Sequence, residues 1–337
     1  MSGLVVSILI FVAAAVVILI AGTYMAKVAD ELADRSGLGE AVFGGLMLGA
    51  ATSLPGIVAS VSAALADQPS LAVSNAVGGI AAQTAFLVIA DIVYRRANLE
   101  HAAAEVTNLW QSAGLVLLLS LALGANLAPP VSFFAIHPVT IALFGCYWML
   151  ASTGMALRER PSWSPDETPL THYDEPNGAI ATKGSMSSLI AQFVGLAAAL
   201  AVAGHFIASS ASDIASSVGI SQTVAGVLLT SIVTSLPELV TTIAAVRLGA
   251  LQLAIGGIVG GNTFDVLFLA FADVGYRSGS IYHAAQDRDV LMIAAALIMS
   301  TIMLLGLIAR DKQGVGREGY AILFVYIGVV ALQVYLG

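Results

Sequence analysis

Charge is the scarcest property of this chain. Only 10% of its 337 residues are Asp, Glu, Lys or Arg, against about 25% in an ordinary soluble domain, which excludes a water-soluble globular fold. The 13 basic residues are outnumbered by 21 acidic ones, for a formal net charge of −8. They cluster in short loops and make no basic face, so nucleic acid is not an expected partner. The one cysteine, Cys146, excludes an intrachain disulfide and leaves the redox compartment undetermined. No HExxH motif, GK[ST] phosphate loop or serine-nucleophile elbow occurs, which removes three common enzyme classes. No cofactor is expected.

Hydrocarbon is abundant instead. Hydrophobic residues make up 58% of the chain and the mean hydropathy is +0.92. Ten apolar segments are long enough, or nearly so, to cross a bilayer core of about 30 Å: residues 3–25, 40–65, 70–94, 109–127, 131–155, 186–208, 220–246, 250–276, 290–309 and 319–336. The first has no positive side chain before it and reads as a retained helix, not a signal peptide. Glycine pairs, Gly78-Gly79 and Gly260-Gly261, are expected to break the third and eighth. The stretch 156–185 holds Pro161, Pro165, Pro169 and Pro176 among charges and reads as a linker. The expected fold class is an all-α polytopic membrane protein with ten transmembrane helices.

Alternating the loops across ten spans puts Arg277 and Arg288 on one side and the other eleven of the 13 basic residues on the opposite one. By the positive-inside bias the richer side is cytoplasmic. Both termini are then outside and residues 156–185 inside, in a plasma (inner) membrane.

The chain also repeats itself. Thr52-Ser53-Leu54-Pro55 returns 182 positions later as Thr234-Ser235-Leu236-Pro237. The same offset pairs Gly22 with Gly204, Gly78-Gly79 with Gly260-Gly261, Asp91 with Asp273, Tyr94 with Tyr276 and His101 with His283. Each half, 1–155 and 186–337, holds five segments. An odd number makes the halves enter the membrane from opposite sides, giving two inverted-topology five-helix repeats. Secondary transporters use that architecture, with their sites near the midplane between repeats.

Chemistry concentrates at the repeated string. Thr234 and Glu238 stand at i and i+4, on one helix face, with Ser235 beside them. Pro237 cannot donate to the carbonyl of Val233 and loosens the carbonyls near it. A carboxylate inside an apolar span costs at least roughly 2.5–3.5 kcal/mol, so Glu238 reads as functional. Asp265 supplies a second acid, with Asn262 three residues before it and Gly257, Gly260 and Gly261 as a small face for close helix approach. Its repeat counterpart is Gln83, about two helical turns from Asn75. Such an oxygen-rich set suits hard cations such as Na⁺ or Ca²⁺ over soft metals. Asp91 and Asp273, beside Tyr-Arg pairs, read as interfacial anchors, and His205 as packed or hydrogen-bonded.

The paired strings GLMLGAATSLPG (45–56) and GVLLTSIVTSLPE (226–238) resemble the alpha-repeats of the calcium/cation antiporter superfamily, which includes the sodium/calcium exchangers. So do SNAVGGIAAQ (74–83) and GGIVGGNTFD (256–265). The resemblance implies ion ligands on the second, third, seventh and eighth helices. Carried over, these are Glu238, Asp265, Thr52, Ser53, Thr234 and Ser235, with Gln83, Asn75 and Asn262 as further candidates. Gly56 stands where a first-repeat glutamate is expected, Gln83 where an Asn or Asp is, and Gly257 where an Asn is. Weaker or altered Ca²⁺ handling follows, with Na⁺ or H⁺ dominant, and Gly56→Glu is expected to strengthen divalent binding.

The expected function is therefore a secondary antiporter moving Ca²⁺ or a related cation against Na⁺ or H⁺ by alternating access, and not an enzyme. Its partners are inorganic cations and the lipid bilayer, and no oligomer is required. Three other readings remain open: a relative carrying other or only monovalent cations, a non-transporting sensor or scaffold, and an intramembrane aspartyl protease built on Glu238 and Asp265.

Overall fold

A computed structural model describes residues 2–36, 52–94, 97–103, 105–159, 164, 168, 171, 185–249, 251–311 and 314–336. Among these residues all regular structure is helical. That is expected of apolar spans, because a backbone in hydrocarbon must satisfy its own polar groups. The helices are α1 (Ser2–Ser36), α2 (Leu54–Leu65), α3 (Pro69–Tyr94), the short α4 (Leu99–Ala102), α5 (Val106–Leu127), α6 (Pro138–Glu159) and α7 (Met186–Val218). After them come α8 (Gln222–Thr234), which contains a π-turn at Gly226–Thr230, and α9 (Leu236–Leu248). The chain continues with α10 (Leu251–Asp265), α11 (Leu267–Gly275), the short α12 (Ile281–Ala284), α13 (Asp287–Ala309) and α14 (Arg317–Leu336).

Among the described residues, eight helical stretches are long and apolar enough to span a membrane, or nine if the bent pair α8 and α9 counts as one span. The second expected segment, 40–65, is represented by α2, since residues 40–51 lie outside the described set. Most of the 156–185 linker lies outside it too. Two of its described residues dock on the helix ends: Thr168 Oγ1 lies 2.8 Å from His101 Nε2, and Arg310 Nη2 donates to Thr171 Oγ1 at 3.2 Å.

The glycine pairs do not break their helices. α3 runs unbroken through Gly78-Gly79, and α10 continues through Gly260-Gly261 to Asp265. Contact explains Gly78 better than flexibility, whereas a Cβ on Gly79, Gly260 or Gly261 would meet nothing closer than 3.4 Å. A Cβ on Gly78 would meet Ser231 Oγ at 2.9 Å and the Val227 backbone at 3.2 Å, and one on Gly226 would meet Ser74 Cβ at 2.5 Å. Helices α3 and α8 thus cross at backbone distance, as small residues permit inside a membrane.

α3 is the centre of the bundle, with 83% of its span buried, against 22% for α1. The main apolar core joins α3, α5, α10, α11 and α13. α1 and α7 form a separate pair, held by Ala14, Ile18, Ala21 and Met25 against Leu200, Ala203 and Ile207. This pair rests on the proline strings through two glycines that share the 182-residue offset. A Cβ on Gly22 would lie 2.5 Å from Pro237 Cγ, and one on Gly204 would lie close against the backbone oxygen of Pro55.

Local chemistry sets the ends. Ser185 accepts from Ser188 N to start α7, and Gly219 and Gly249 stop α7 and α9 with positive φ, the conformation glycine adopts without strain. Asp91 and Asp273 are buried rather than interfacial. Each accepts from the first residue of the next short helix, Leu99 N at 2.8 Å and Ile281 N at 2.9 Å. Asp273 also accepts from His137 N and Thr140 Oγ1. A backbone amide buried at a helix start needs such a partner, which explains aspartates there better than anchoring does. His205 bonds Ser62 Oγ at 3.0 Å, in line with its sequence reading.

Gly204→Ala should lower the thermal midpoint of the detergent-purified protein, because Pro55 offers backbone and no flexible side chain that could yield. Overpacking of this kind costs about 1–3 kcal/mol. Gly195→Ala on the same helix meets nothing within 4 Å and should leave the midpoint unchanged or slightly higher.

Candidate functional site

The string at 234–238 makes a bend. α8 ends at Thr234 and α9 begins at Leu236, and the two are inclined by 45°. Pro237, lacking an amide hydrogen, sits in the first turn of α9, where none is needed. The carbonyl of Ser235 is not released by the bend: it accepts from Leu239 N at 3.3 Å. Its repeat counterpart Ser53 likewise accepts from Ile57 N, at 3.0 Å.

Glu238, at the start of α9, and Asp265, at the end of α10, are 6% and 1% exposed. Both belong to the second half of the chain, while their hydrogen-bond donors come from the first. Ser53 Oγ donates to Asp265 Oδ1 at 2.6 Å, and Gln83 Nε2 donates to Asp265 Oδ2 at 2.7 Å. The Thr52 hydroxyl bonds the Glu238 carboxyl. Gln83 Nε2 also donates to Ser235 Oγ at 3.1 Å. The pairs Ser53–Asp265 and Gln83–Ser235 are the same pair shifted by 182, and Gln83 and Asp265 are themselves 182 apart.

The sequence candidates divide here. Glu238, Asp265, Thr52, Ser53, Gln83 and Ser235 come together in one buried cluster. Thr234 turns its hydroxyl back to the Thr230 carbonyl at 2.9 Å and reaches Asn75 Oδ1 only at 3.5 Å. Asn75 donates to the Gly56 carbonyl at 3.1 Å and to Ser60 Oγ at 2.8 Å. Asn262 donates to Thr84 Oγ1 at 3.0 Å. These three hold neighbouring helices at the edge of the cluster.

Two atoms of the cluster, Glu238 Oε2 and Gln83 Oε1, are buried without a hydrogen-bond partner. A lone buried acceptor costs about 1–3 kcal/mol; Asn262 Oδ1 and buried oxygens elsewhere, such as Gln111 Oε1, also lack a partner, and what sets this cluster apart is that its open acceptors stand with two carboxylates. Among the described residues no third His, Cys, Asp or Glu completes a metal-binding group. The cluster is therefore two carboxylates with neutral hydroxyl and amide oxygens, a donor set fit for hard cations that exchange.

Asp289 shows the contrast. Equally buried, it accepts from Ser70 Oγ at 2.7 Å, Ser74 Oγ at 2.8 Å, Thr223 Oγ1 at 2.7 Å and Gln286 N at 2.8 Å. It pins α13 to α3 and α8 and has no spare capacity. Neither it nor Phe268, whose ring lies against Gly56, stood out in the sequence. For Phe268 the available signal was its position one helical turn beyond Asp265.

The family profile described as sodium/calcium exchanger protein matches residues 6–152 and 188–335. The chain belongs to this family. Among similar members, the inner membrane protein YrbG of Escherichia coli is 25% identical over 302 residues, covering 86% of this chain and 85% of its own. The sodium/calcium exchanger MaX1 of Methanosarcina acetivorans is 25% identical over 140 residues, 41% of this chain and 39% of its own. Among solved structures the H⁺/Ca²⁺ exchanger CAX superposes with a TM-score of 0.73 at 11% identity, covering 98% of this chain and 86% of its own. The sodium-calcium exchanger NCX_Mj gives 0.61 at 18% identity, with 98% and 99% covered. At these identities the structures establish a shared fold. Membership makes this an exchanger-family membrane protein that handles cations.

Stability should separate the two kinds of buried acid. Asp289→Asn should destabilise the protein by about 3 kcal/mol, with or without added cations, since charged hydrogen bonds are lost. Glu238→Gln should leave the thermal midpoint of the cation-free protein unchanged or raised, because a buried carboxylate with no basic partner is made neutral.

Proposed function

We propose that this protein is a secondary antiporter that exchanges Ca²⁺ or a related cation against Na⁺ or H⁺ at the Glu238–Asp265 cluster. The observation that carries this reading is a pair of buried carboxylates from one half of the chain, held by donors from the other half, with Glu238 Oε2 left unpartnered. Thr52, Ser53, Gln83 and Ser235 are the neutral ligands in this reading, while Thr234, Asn75 and Asn262 support them from the edge. Ca²⁺ with Na⁺, and Ca²⁺ with H⁺, are the ions in the names of the similar exchangers.

In this reading ten helices cross the plasma (inner) membrane as two inverted five-helix repeats, residues 1–155 and 186–337. Both termini are outside and residues 156–185 are cytoplasmic. Support comes from bonds that recur at the repeat offset, among them Leu99–Asp91 with Ile281–Asp273, and His101–Arg310 with His283–Ala128. Access then alternates as one part of the bundle moves against the other. Coupling is electrostatic. Two uncompensated carboxylates are costly to carry through hydrocarbon, so the loaded forms reorient and the empty one does not.

Reconstitution in liposomes tests this directly. An imposed Na⁺ or pH gradient should drive ⁴⁵Ca²⁺ flux, and Glu238→Gln and Asp265→Asn should each reduce it to background. Undiminished flux in Glu238→Gln would refute the site, and current without a counter-ion would indicate a channel.

A further inference from the structure

Glu238 has a repeat counterpart, since 56 + 182 = 238, and that counterpart is Gly56. Taken alone, the sequence reads as a cavity missing one carboxylate, which Gly56→Glu would restore. The structure leaves no such cavity. A Cβ on Gly56 would lie close against Phe268 Cε2, 3.0 Å from Cζ and 3.4 Å from Cδ2. The flank of the phenyl ring lies where a side chain at position 56 would begin.

Phe268 is 4% exposed and stands one helical turn beyond Asp265. Its ring meets Phe264 edge-on at 6.4 Å between centroids, and Phe264 meets Tyr147 in the same way at 5.6 Å. The Gly56 carbonyl is also satisfied, by Asn75, whereas Glu238 Oε2 and Gln83 Oε1 have no partner. The two counterpart positions therefore differ: Glu238 presents an open oxygen, and at Gly56 a hydrocarbon ring from the second half stands in place of a side chain.

We propose that Phe268 is a specificity-determining residue: its ring occupies the place where a side chain at position 56, the repeat counterpart of Glu238, would stand, and leaves one seat for a single dehydrated cation among Glu238, Asp265, Ser53, Gln83 and Ser235. This rests on the reading of Glu238 and Asp265 as the cation site. A ring gives no oxygen ligand and excludes water from the place it fills. A cation that gives up its hydration shell and takes six to eight flexible oxygens, such as Ca²⁺, is accepted. Mg²⁺, which dehydrates reluctantly and usually keeps several waters, is rejected.

Calorimetric titration of the purified full chain with CaCl₂ and with MgCl₂ tests the proposal, using wild type, Glu238→Gln, Gly56→Glu, Phe268→Leu and Gly56→Glu/Phe268→Ala. Wild type should bind one Ca²⁺ in preference to Mg²⁺, and Glu238→Gln should bind neither. Gly56→Glu alone should gain no affinity, because the ring blocks the added side chain. The double variant should gain on the order of tenfold in Ca²⁺ affinity, about 1.4 kcal/mol, or a second binding step. Phe268→Leu keeps the helix contact apolar, folds where the double variant does not, and should lose most of the discrimination against Mg²⁺. Two results would overturn the proposal while leaving the cation site standing: a gain in Gly56→Glu equal to that of the double variant, or wild-type discrimination in Phe268→Leu. If wild type and Glu238→Gln respond alike to every cation, the cation site itself fails, and the proposal fails with it.

Discussion

Two carboxylates in a medium that cannot solvate them set the terms for the rest of this structure. Glu238 and Asp265 sit deep in an apolar bundle and draw their hydrogen bonds from hydroxyls and an amide. Neutral donors moderate the cost of burial without cancelling the charge, as a basic partner would. In the antiporter reading proposed above, this is what leaves the pair open to a cation, whereas a lysine in place of Gln83 would hold it as an internal ion pair.

Bringing those donors within reach requires backbones to approach more closely than ordinary side chains allow. Gly78 faces Ser231, Gly226 faces Ser74, and Gly22 and Gly204 lie on Pro237 and Pro55. Hydrophobicity gives no net attraction between helices in lipid, so small residues and interhelical hydrogen bonds must provide it. The glycines therefore do the same work as the serines and threonines beside them. The Gly22 and Gly204 contacts also place the α1–α7 pair directly on Pro237 and Pro55, beside the cluster.

Much of this was legible in the sequence because it depends on counting. Apolar lengths give spans, and a fixed offset gives a repeat. A carboxylate in a span is a functional residue by default. Glu238, Asp265, Ser53, Gln83 and Ser235 were reachable from those rules together with the family resemblance. Other residues were misread because partners distant in sequence decide their roles. Asp91 and Asp273 looked like interfacial anchors until the amides of Leu99 and Ile281 were found on them. Gly78-Gly79 and Gly260-Gly261 read as helix breaks, yet both helices run through them, and at Gly78 the neighbouring helix needs the space. For Asn75, Asn262 and Thr234 the sequence shows ligand chemistry but not their bonds, to Gly56 and Ser60, to Thr84 and to the Thr230 carbonyl.

The sequence by itself determined the membrane class, the repeat and the position of the acids, because each follows from composition or from spacing along the chain. Only the tertiary structure decided which oxygens meet and what stands beside Gly56. Gly56 reads as an empty place in the sequence, since a missing side chain is all that a sequence can record. Its space belongs to Phe268, more than two hundred residues away, and what fills a volume is set by packing between helices that no local pattern encodes.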